Sequence, residues 1–355
     1  MIKEQDKFLS PKMFSLQPDL NKLPDREIVF EPNDFKPASD DKKENFIEKA
    51  ESVSYWADAW RRLKHNKVAM ISLGIIVVIF LFSFIGPLFT SVDYSTQVRH
   101  ADSINLAPSF EHPFGTDKFG RDLFVRAMYG GRVSLTVGVC ASLIVLIIGT
   151  LYGSISAYFG GKVDNIMMRI LDLIYSVPDV LVVLLLSVTI KIPLQNWVNT
   201  SESAFAAKVG VLGAPLISIF IAFGLLYWVS MARIIRGQIL MLKQQEYVTA
   251  ARALGGGGKR IIKRHLLPNC VGQIIVMTAL QIPSAIFLES FLSFLGIGVS
   301  APMPSLGAMA AEALAGIYSY PERLIIPSII LSLMILSLNL FGDGLRDAFD
   351  PRLRK

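Results

Sequence analysis

The chain has 355 residues, 52% of them hydrophobic, with a mean hydropathy of +0.48 and a net charge of +6. Soluble domains are about 45–50% apolar even when glycine is counted, so this composition excludes an ordinary soluble protein and specifies an integral membrane protein. A pI near 9.2 would point to nucleic acid in a soluble chain, but here the basic residues flank apolar runs, where they set topology, and no nucleic acid partner is expected.

Residues 1–43 hold five prolines and eight basic against nine acidic side chains. With so few apolar groups they predict a disordered or loosely docked cytoplasmic tail. No apolar core follows the first lysine as a signal peptide requires, so the first span is expected to remain in the mature protein. Over 44–67, Phe46, Ala50, Val53, Trp56, Trp60 and Leu63 recur every three or four positions, followed by Arg61, Arg62, Lys64 and Lys67. The spacing predicts an interfacial amphipathic helix, with a helix packed on neighbouring protein as the alternative.

Six apolar runs are long enough, at roughly 20 residues each, to cross the hydrocarbon. They lie near 68–89, 134–159, 170–190, 211–232, 269–292 and 324–345. The expected architecture is an all-α membrane protein. Asp172, Pro178 and Asp179 interrupt the third run and predict a kinked, protein-buried span. The two carboxylates either face the inner mouth of a pathway or are structural, with Arg169 as a partner for Asp172; the structural reading is preferred. Gly149, Gly153 and Ala157 form a small-residue stripe suited to helix packing. Cys140 and Cys270 fall within spans near opposite faces, which predicts packing residues rather than a disulfide or a metal site. The loops 160–169, 233–268 and 346–355 hold fourteen Lys or Arg in 56 residues, whereas 90–133, 191–210 and 293–323 hold eight in 95. That asymmetry places both termini and the 233–268 segment in the cytoplasm.

The extracytoplasmic loop 90–133 balances five basic against five acidic residues and contains His100 and His112. A loop this long is either functional or a folded cap over the helix ends. In 233–268, eight Lys or Arg oppose the single acid Glu246. Glu246–Leu254 lacks Gly and Pro and then meets Gly255, predicting a short helix, about 13 Å long, stopped at a left-handed residue. Ala250 and Ala251 leave one side flat enough to enter a groove of another protein, with Arg252, Lys259 and Arg260 as rim charges. Leu266 and Leu267 return to the bilayer, and Pro268 is expected at the start of the next span. A plain positive-inside loop would explain the charge but not the alanine pair, the glycine stop or the proline. Glu289, near the end of the fifth span, either lines the outer half of a pathway or snorkels to the interface. Beyond it, Gly296, Gly298, Pro302 and Pro304 end the helix, and Ser305 is placed to cap a short helix through Glu312, as a re-entrant lid or an interface loop.

Thr249-Ala250-Ala251, Gly255, His265 and Leu267-Pro268 resemble the EAA loop of ABC importer permeases, departing from the general pattern at Thr249 and His265. His112-Pro-Phe-Gly115-Thr116-Asp117 with Arg121-Asp122, Gly130-Gly-Arg-Val-Ser-Leu135, Ser293-Phe-Leu-Gly-Ile-Gly298, and Gly342-Asp-Gly-Leu-Arg346 through Asp350-Pro-Arg352 extend the likeness over nearly all of the chain from about residue 60. The whole is similar to the C-type permease of oligopeptide and dipeptide importers. That resemblance implies six transmembrane helices of the type I ABC importer permease kind, in a bacterial inner or cytoplasmic membrane. It also implies a cytoplasmic coupling helix at 246–254, formed by Glu246, Thr249, Ala250, Ala251 and Arg252, with Gly255, Leu267 and Pro268 behind it. The implied partners are a second permease, two ATPase subunits carrying ATP and Mg, membrane lipid, a peptide substrate and an extracytoplasmic binding protein. The last would meet His112, Gly115, Thr116, Asp117, Arg121 and Asp122. Glu289, Asp172 and Asp179 are the pathway candidates.

No cofactor is expected on this chain, because Ala253 stands where the first glycine of a phosphate loop ending at Lys259 would be required. An intramembrane hydrolase is disfavoured: His65, His100, His112 and His265 all lie outside the predicted spans, and no His-Glu-x-x-His occurs. The open alternatives are a permease for nickel or another small solute, and a membrane scaffold or sensor that moves nothing.

Overall fold

The structure, a computed structural model, describes residues 54–97, 103–201, 203–204, 206, 209–210, 213–299 and 301–350. The predicted tail at 1–43, the first part of the 44–67 helix, His100 and the end of the 346–355 segment lie outside the described residues. Among the described residues the regular elements are helical. They are α1 (Tyr55–His65), α2 (Lys67–Phe80), α3 (Leu123–Phe159), α4 (Gly161–Tyr175), α5 (Asp179–Thr200), α6 (Ala214–Leu242), α7 (Glu246–Ala253), α8 (Gly258–Phe294), α9 (Leu306–Ala313) and α10 (Glu322–Phe349). Among the described residues, six helices are long and apolar enough to cross a membrane: α3, α5, α6, α8, α10, and α2 with its continuation, as Lys67–Phe89.

Each predicted span falls on one of these helices, but the ends differ where charge interrupts an apolar run without interrupting a helix. Helix α3 begins at Leu123 rather than at 134, because Asp122 caps it, accepting from Phe124 N at 2.7 Å and Val125 N at 3.2 Å. Helix α6 continues past 232 to Leu242 and so carries Arg233 and Arg236, since arginine is a good helix former. Helix α8 starts at Gly258 rather than at 269. Pro268 therefore sits inside a continuous helix, preceded by a widened turn at Ile262–Leu266. In a regular helix Pro268 would leave the Arg264 carbonyl without a donor and crowd it with its ring; the widened turn accommodates that mismatch.

The third span is displaced as well. Ser176, Val177 and Pro178 break the chain into α4 and α5, so the span is Asp179–Thr200 and the predicted 191–210 loop is helical as far as Thr200. The kink is where Pro178 predicts it, since a residue before proline is kept out of the helical region. Burial by this chain is not: Val183 and Ser187 are the buried residues of α5, because it packs mainly along the first part of α6, Ala214–Ala222.

Helices α3, α6 and α8 form the main core, with Val145, Ile219, Phe223, Ile235, Leu288 and Leu292 buried between them. The small-residue stripe is where α3 meets α6. A Cβ on Gly149 would lie 2.7 Å from Met231 Cβ, and one on Gly153 would lie 2.4 Å from the Ala232 carbonyl. These glycines therefore permit backbone-to-backbone contact. A second cluster, Ile79, Leu135, Ile286, Leu306, Met334 and Leu338, joins α2, α3, α8, α9 and α10. Helix α1 buries Ala59 and Leu63 but leaves Trp56 and Trp60 about half exposed, so a packed face and an aromatic face coexist on one element. Asn66 separates α1 from α2, and its side chain accepts from Ala69 N at 3.1 Å. Cys140 and Cys270 are free.

Candidate functional site

The basic segment between α6 and α8 is organised around α7. Its only buried side chain is Val248, while Glu246, Tyr247, Thr249, Ala250 and Arg252 are exposed and Ala251 is half-buried. Gly255 follows at φ +79°, and Gly256 N donates to the Ala251 carbonyl at 3.0 Å, closing the helix end. Leu254, just past that end, is 89% exposed. Gly257, Lys259, Arg260, Lys263, Arg264 and the exposed Pro268 line an electropositive groove beside it. Leu267 is half-buried, whereas Ile261 and Leu266 are fully buried.

The roots of α7 are tied to the rest of the bundle. Lys243 Nζ donates to the Tyr158 carbonyl at 2.6 Å and to the Ala157 carbonyl at 3.3 Å, neutralising the end of α3. Arg236 on α6 grips Asp164 in the first turn of α4 through two bonds of 2.6 and 2.5 Å, and Ser156 Oγ donates to the same carboxylate. The Arg236 hydrogen bonds, with help from Ser156 and the nearby Lys243 charge, hold the Asp164 carboxyl below its ordinary pKa against the opposing effect of burial. Sequence reading missed this pair, because its members stand 72 residues apart and each resembles an ordinary flanking charge.

The break between α4 and α5 faces a widened turn of α6 at Phe223–Tyr227. Between them lies a cavity of about 560 Å3 lined by Ser176, Pro178, Asp179, Tyr227, Ser230 and Gln281. Tyr227 Oη donates to Asp179 Oδ2 at 3.2 Å, and Gln281 Nε2 is buried without a partner. Asp172 pairs with Arg233 of α6 at 2.8 Å, not with Arg169, and Arg233 also stacks over Tyr175 at 4.6 Å. Both carboxylates remain open to the unoccupied side of α4 and α5.

Glu289 lies elsewhere. It is fully buried on α8, and Ser134, Ser290 and Ser293 donate to its carboxylate at 2.8, 3.2 and 2.8 Å. Ser293 Oγ in turn accepts from Val299 N at 2.9 Å, anchoring the chain that leads to α9. Glu289 therefore neither lines an opening in this chain nor reaches an interface. The hydroxyls on α3 and α8 satisfy it in place, which the apolar pattern around it could not disclose.

The loop before α3 is folded by the residues expected to meet a binding protein. Asp117 Oδ1 accepts from Phe119 N and Arg121 N at 2.8 and 3.0 Å, while Oδ2 accepts from Arg121 Nε and Arg126 Nη1 at 2.6 and 2.8 Å. Both arginines also donate to Glu312 of α9, at 2.7 and 3.1 Å. Thr116 Oγ1 donates to the Ser103 carbonyl and accepts from Leu106 N, and His112 Nδ1 lies 2.7 Å from Asp122 Oδ2. Gly115 adopts φ +75°, where a Cβ would meet the Leu106 carbonyl at 2.4 Å. Thr116, Asp117 and Arg121 are buried, so their side chains build the loop instead of presenting a face; Phe110 is the large side chain left fully exposed. Arg126 and Glu312 escaped sequence reading because only the fold joins residues 186 apart. Ser305 caps α9 as expected, accepting from Ala308 N at 3.1 Å.

The chain that builds these six apolar helices, the short helix on braced roots, the polar cavity at the break between α4 and α5 and the hydrogen-bonded loop before α3 matches known sequences along most of its length. Residues 54–108 match the N-terminal TM domain of oligopeptide transport permease C. The oligopeptide transport system permease protein OppC of Bacillus subtilis is 43% identical over 324 residues, covering 91% of this chain and 98% of that protein. The dipeptide transport system permease protein DppC of the same organism is 45% identical over 308 residues, covering 86% and 89%. OppC of Escherichia coli K12 is 41% identical over 315 residues, covering 88% and 96%. Residues 149–355 match the model of the binding-protein-dependent transport system inner membrane component, and the chain belongs to that family.

Proposed function

We propose that this chain is the permease subunit of an ATP-driven peptide importer, forming half of the translocation pathway with a second, similar permease. Its relatives are named for oligopeptide and dipeptide transport, and the excess of Lys and Arg around α7 supports a cytoplasmic position for that end of the bundle and for both termini. ATP and Mg belong to two separate ATPase subunits, and an extracytoplasmic binding protein delivers peptide to the opposite end. The loop carrying the exposed Phe110 faces that delivery side.

The observation that carries the reading is the construction around α7. A small, flat helix buries only Val248 fully in its own chain, while Lys243, Arg236 and Asp164 brace its roots against α3 and α4. A helix seated in a cleft of an ATPase would transmit the movement of that ATPase to α3, α4, α6 and α8 together, as a rigid-body change. Exposed Ala250 and half-buried Ala251 allow close seating, and the neighbouring groove of Lys and Arg supplies rim contacts that so short a helix needs for a stable interface. The cavity at the break between α4 and α5, with Asp179, Tyr227, Ser230 and Gln281, is polar and on the side left uncovered by this chain, where a polar conduit between two permeases would run.

Ala250→Trp tests the seating, since the side chain is exposed in this chain and the substitution leaves the permease fold unaltered. In the reconstituted complex it lowers ATP-coupled peptide uptake roughly tenfold or more, in line with overpacking that costs about 1–3 kcal/mol, while the permease pair still assembles. Wild-type uptake by an assembled Ala250→Trp complex would overturn the seating of α7.

A further inference from the structure

Near the end of the bundle opposite α7, the chain encloses a cavity of about 210 Å3 lined by Asn105, Asp117, Lys118, Glu312, Tyr320 and Arg323, among others. Arg323 is 8% exposed, and its Nε and Nη2 are both buried without a hydrogen-bond partner. Those two nitrogens form one edge of the guanidinium, the edge that meets a carboxylate through two parallel bonds. The plane of the group is fixed by stacking on Tyr320 at 4.0 Å.

No acid of the cavity is free to serve Arg323. Both oxygens of Asp117 and of Glu312 already accept from Arg121, Arg126 or the backbone, at 2.6–3.1 Å. Those two acids and two arginines balance, which leaves Arg323 and the exposed Lys118 as surplus positive charge. Asn105, held at φ +62°, has a buried Oδ1 without a partner; a half-turn about its Cβ–Cγ bond places an N–H donor at that position instead. A buried guanidinium with an unpaired edge is costly; both nitrogens are closed off from the cavity in this arrangement, so an anion with two coplanar oxygens relieves that cost once the Arg323 side chain turns toward it.

We infer that this cavity is a carboxylate-binding site, read by Arg323 with Lys118 at its rim. It is smaller than the roughly 300–1,000 Å3 that encloses a drug-sized ligand, so it accepts one carboxylate group and not a whole oligopeptide. The carboxylate comes either from an acidic side chain of the docking protein or from the C-terminus of an arriving peptide. The inference rests on the importer reading above for which end receives its partners.

The test uses the complete transporter, in lipid nanodiscs for docking and in sealed proteoliposomes for uptake, with wild type, Arg323→Gln, Arg323→Lys and the surface variant Lys118→Gln. Peptide-free binding protein is titrated onto each, and uptake of an alanine oligopeptide is compared with that of its C-terminal amide. If the source is a side chain, Arg323→Gln weakens docking about tenfold, as loss of a bidentate charged contact predicts. In that case Arg323→Lys recovers part of the affinity, and Lys118→Gln reduces its salt dependence. If the source is the peptide, docking is unchanged and Arg323→Gln removes the preference for the free acid over the amide. Equal docking and equal preference in wild type, Arg323→Gln and Lys118→Gln would overturn the site. Failure of the importer reading is recognised separately, because the wild-type complex would then neither dock a binding protein nor take up peptide.

Discussion

Glu289 shows how a single charge-bearing residue can be structural deep inside a membrane bundle. Its carboxylate receives hydroxyl bonds from α3 and from α8 itself, and Ser293 passes the connection on to Val299. Removing the acceptor strands several hydroxyls, and each buried polar group left unpaired costs about 1–3 kcal/mol. Glu289→Leu, close in volume but unable to accept, is therefore expected to lower the unfolding midpoint of the purified complex well below that of Glu289→Gln. Ser134→Ala falls between them, because Ser290 and Ser293 still donate. Thermal unfolding in detergent checks the order; a Glu289→Leu midpoint equal to wild type would mean that the hydroxyl cage contributes nothing. An acid in an apolar run marks such a residue in sequence, and Ser290 and Ser293 stand beside it, but the third donor, Ser134, comes from a helix 155 residues away.

Among the elements, α4 is attached in part through a titratable tie. Asp164 joins it to α6 through Arg236 and to α3 through Ser156, and those bonds lower the carboxyl pKa in the folded state. A lowered folded pKa contributes stability that is complete above the unfolded value, about 3.9 for Asp, and is lost as pH falls through the folded value. The gap in melting midpoint between wild type and Asp164→Asn should hold steady from about pH 8 to 5 and narrow only below about pH 4. A gap that is missing at neutral pH, or that closes above pH 5, would count against the tie.

The same region separates what was legible in the sequence from what was not. Hydropathy finds every spanning helix, Pro178 gives the kink, and Gly255 and Ser305 give a helix stop and a helix start, because each of these is a local property of the chain. The helix ends at Leu123, Leu242 and Gly258 are missed, because Arg126, Arg233 and the basic run at 259–264 break hydropathy while the backbone stays helical. The widened turns before Trp228 and Leu267 leave no compositional mark. Tyr227 and Gln281 were consequently invisible as cavity residues, whereas Asp179 was visible because a carboxylate in a span is costly wherever it points.

At the scale of the whole molecule, the six spanning helices are unevenly covered. Helix α6 is enclosed by α3, α5 and α8, whereas α4 and α5 turn Asp172, Ser176 and Asp179 outward from the chain together with Leu173 and Leu185. Carboxylates and a broken backbone do not face lipid; at membrane depth they face protein or water. The uncovered side of α4 and α5 must therefore border a second subunit or an aqueous path, while the apolar exposed positions of α3, such as Ile147 at 57%, are compatible with hydrocarbon. A cysteine at Ser176, placed in a background with Cys140 and Cys270 changed to Ser, is expected to react with a water-soluble maleimide in the resting complex, whereas Ile147→Cys does not. Arresting the proposed ATPase partners in their closed state should change the rate at Ser176→Cys, because the proposed rigid-body movement of α3, α4, α6 and α8 would alter the space that the break between α4 and α5 faces. If Ser176→Cys is as inert as Ile147→Cys in both states, that face is sealed, and the conduit runs along some other side of the bundle.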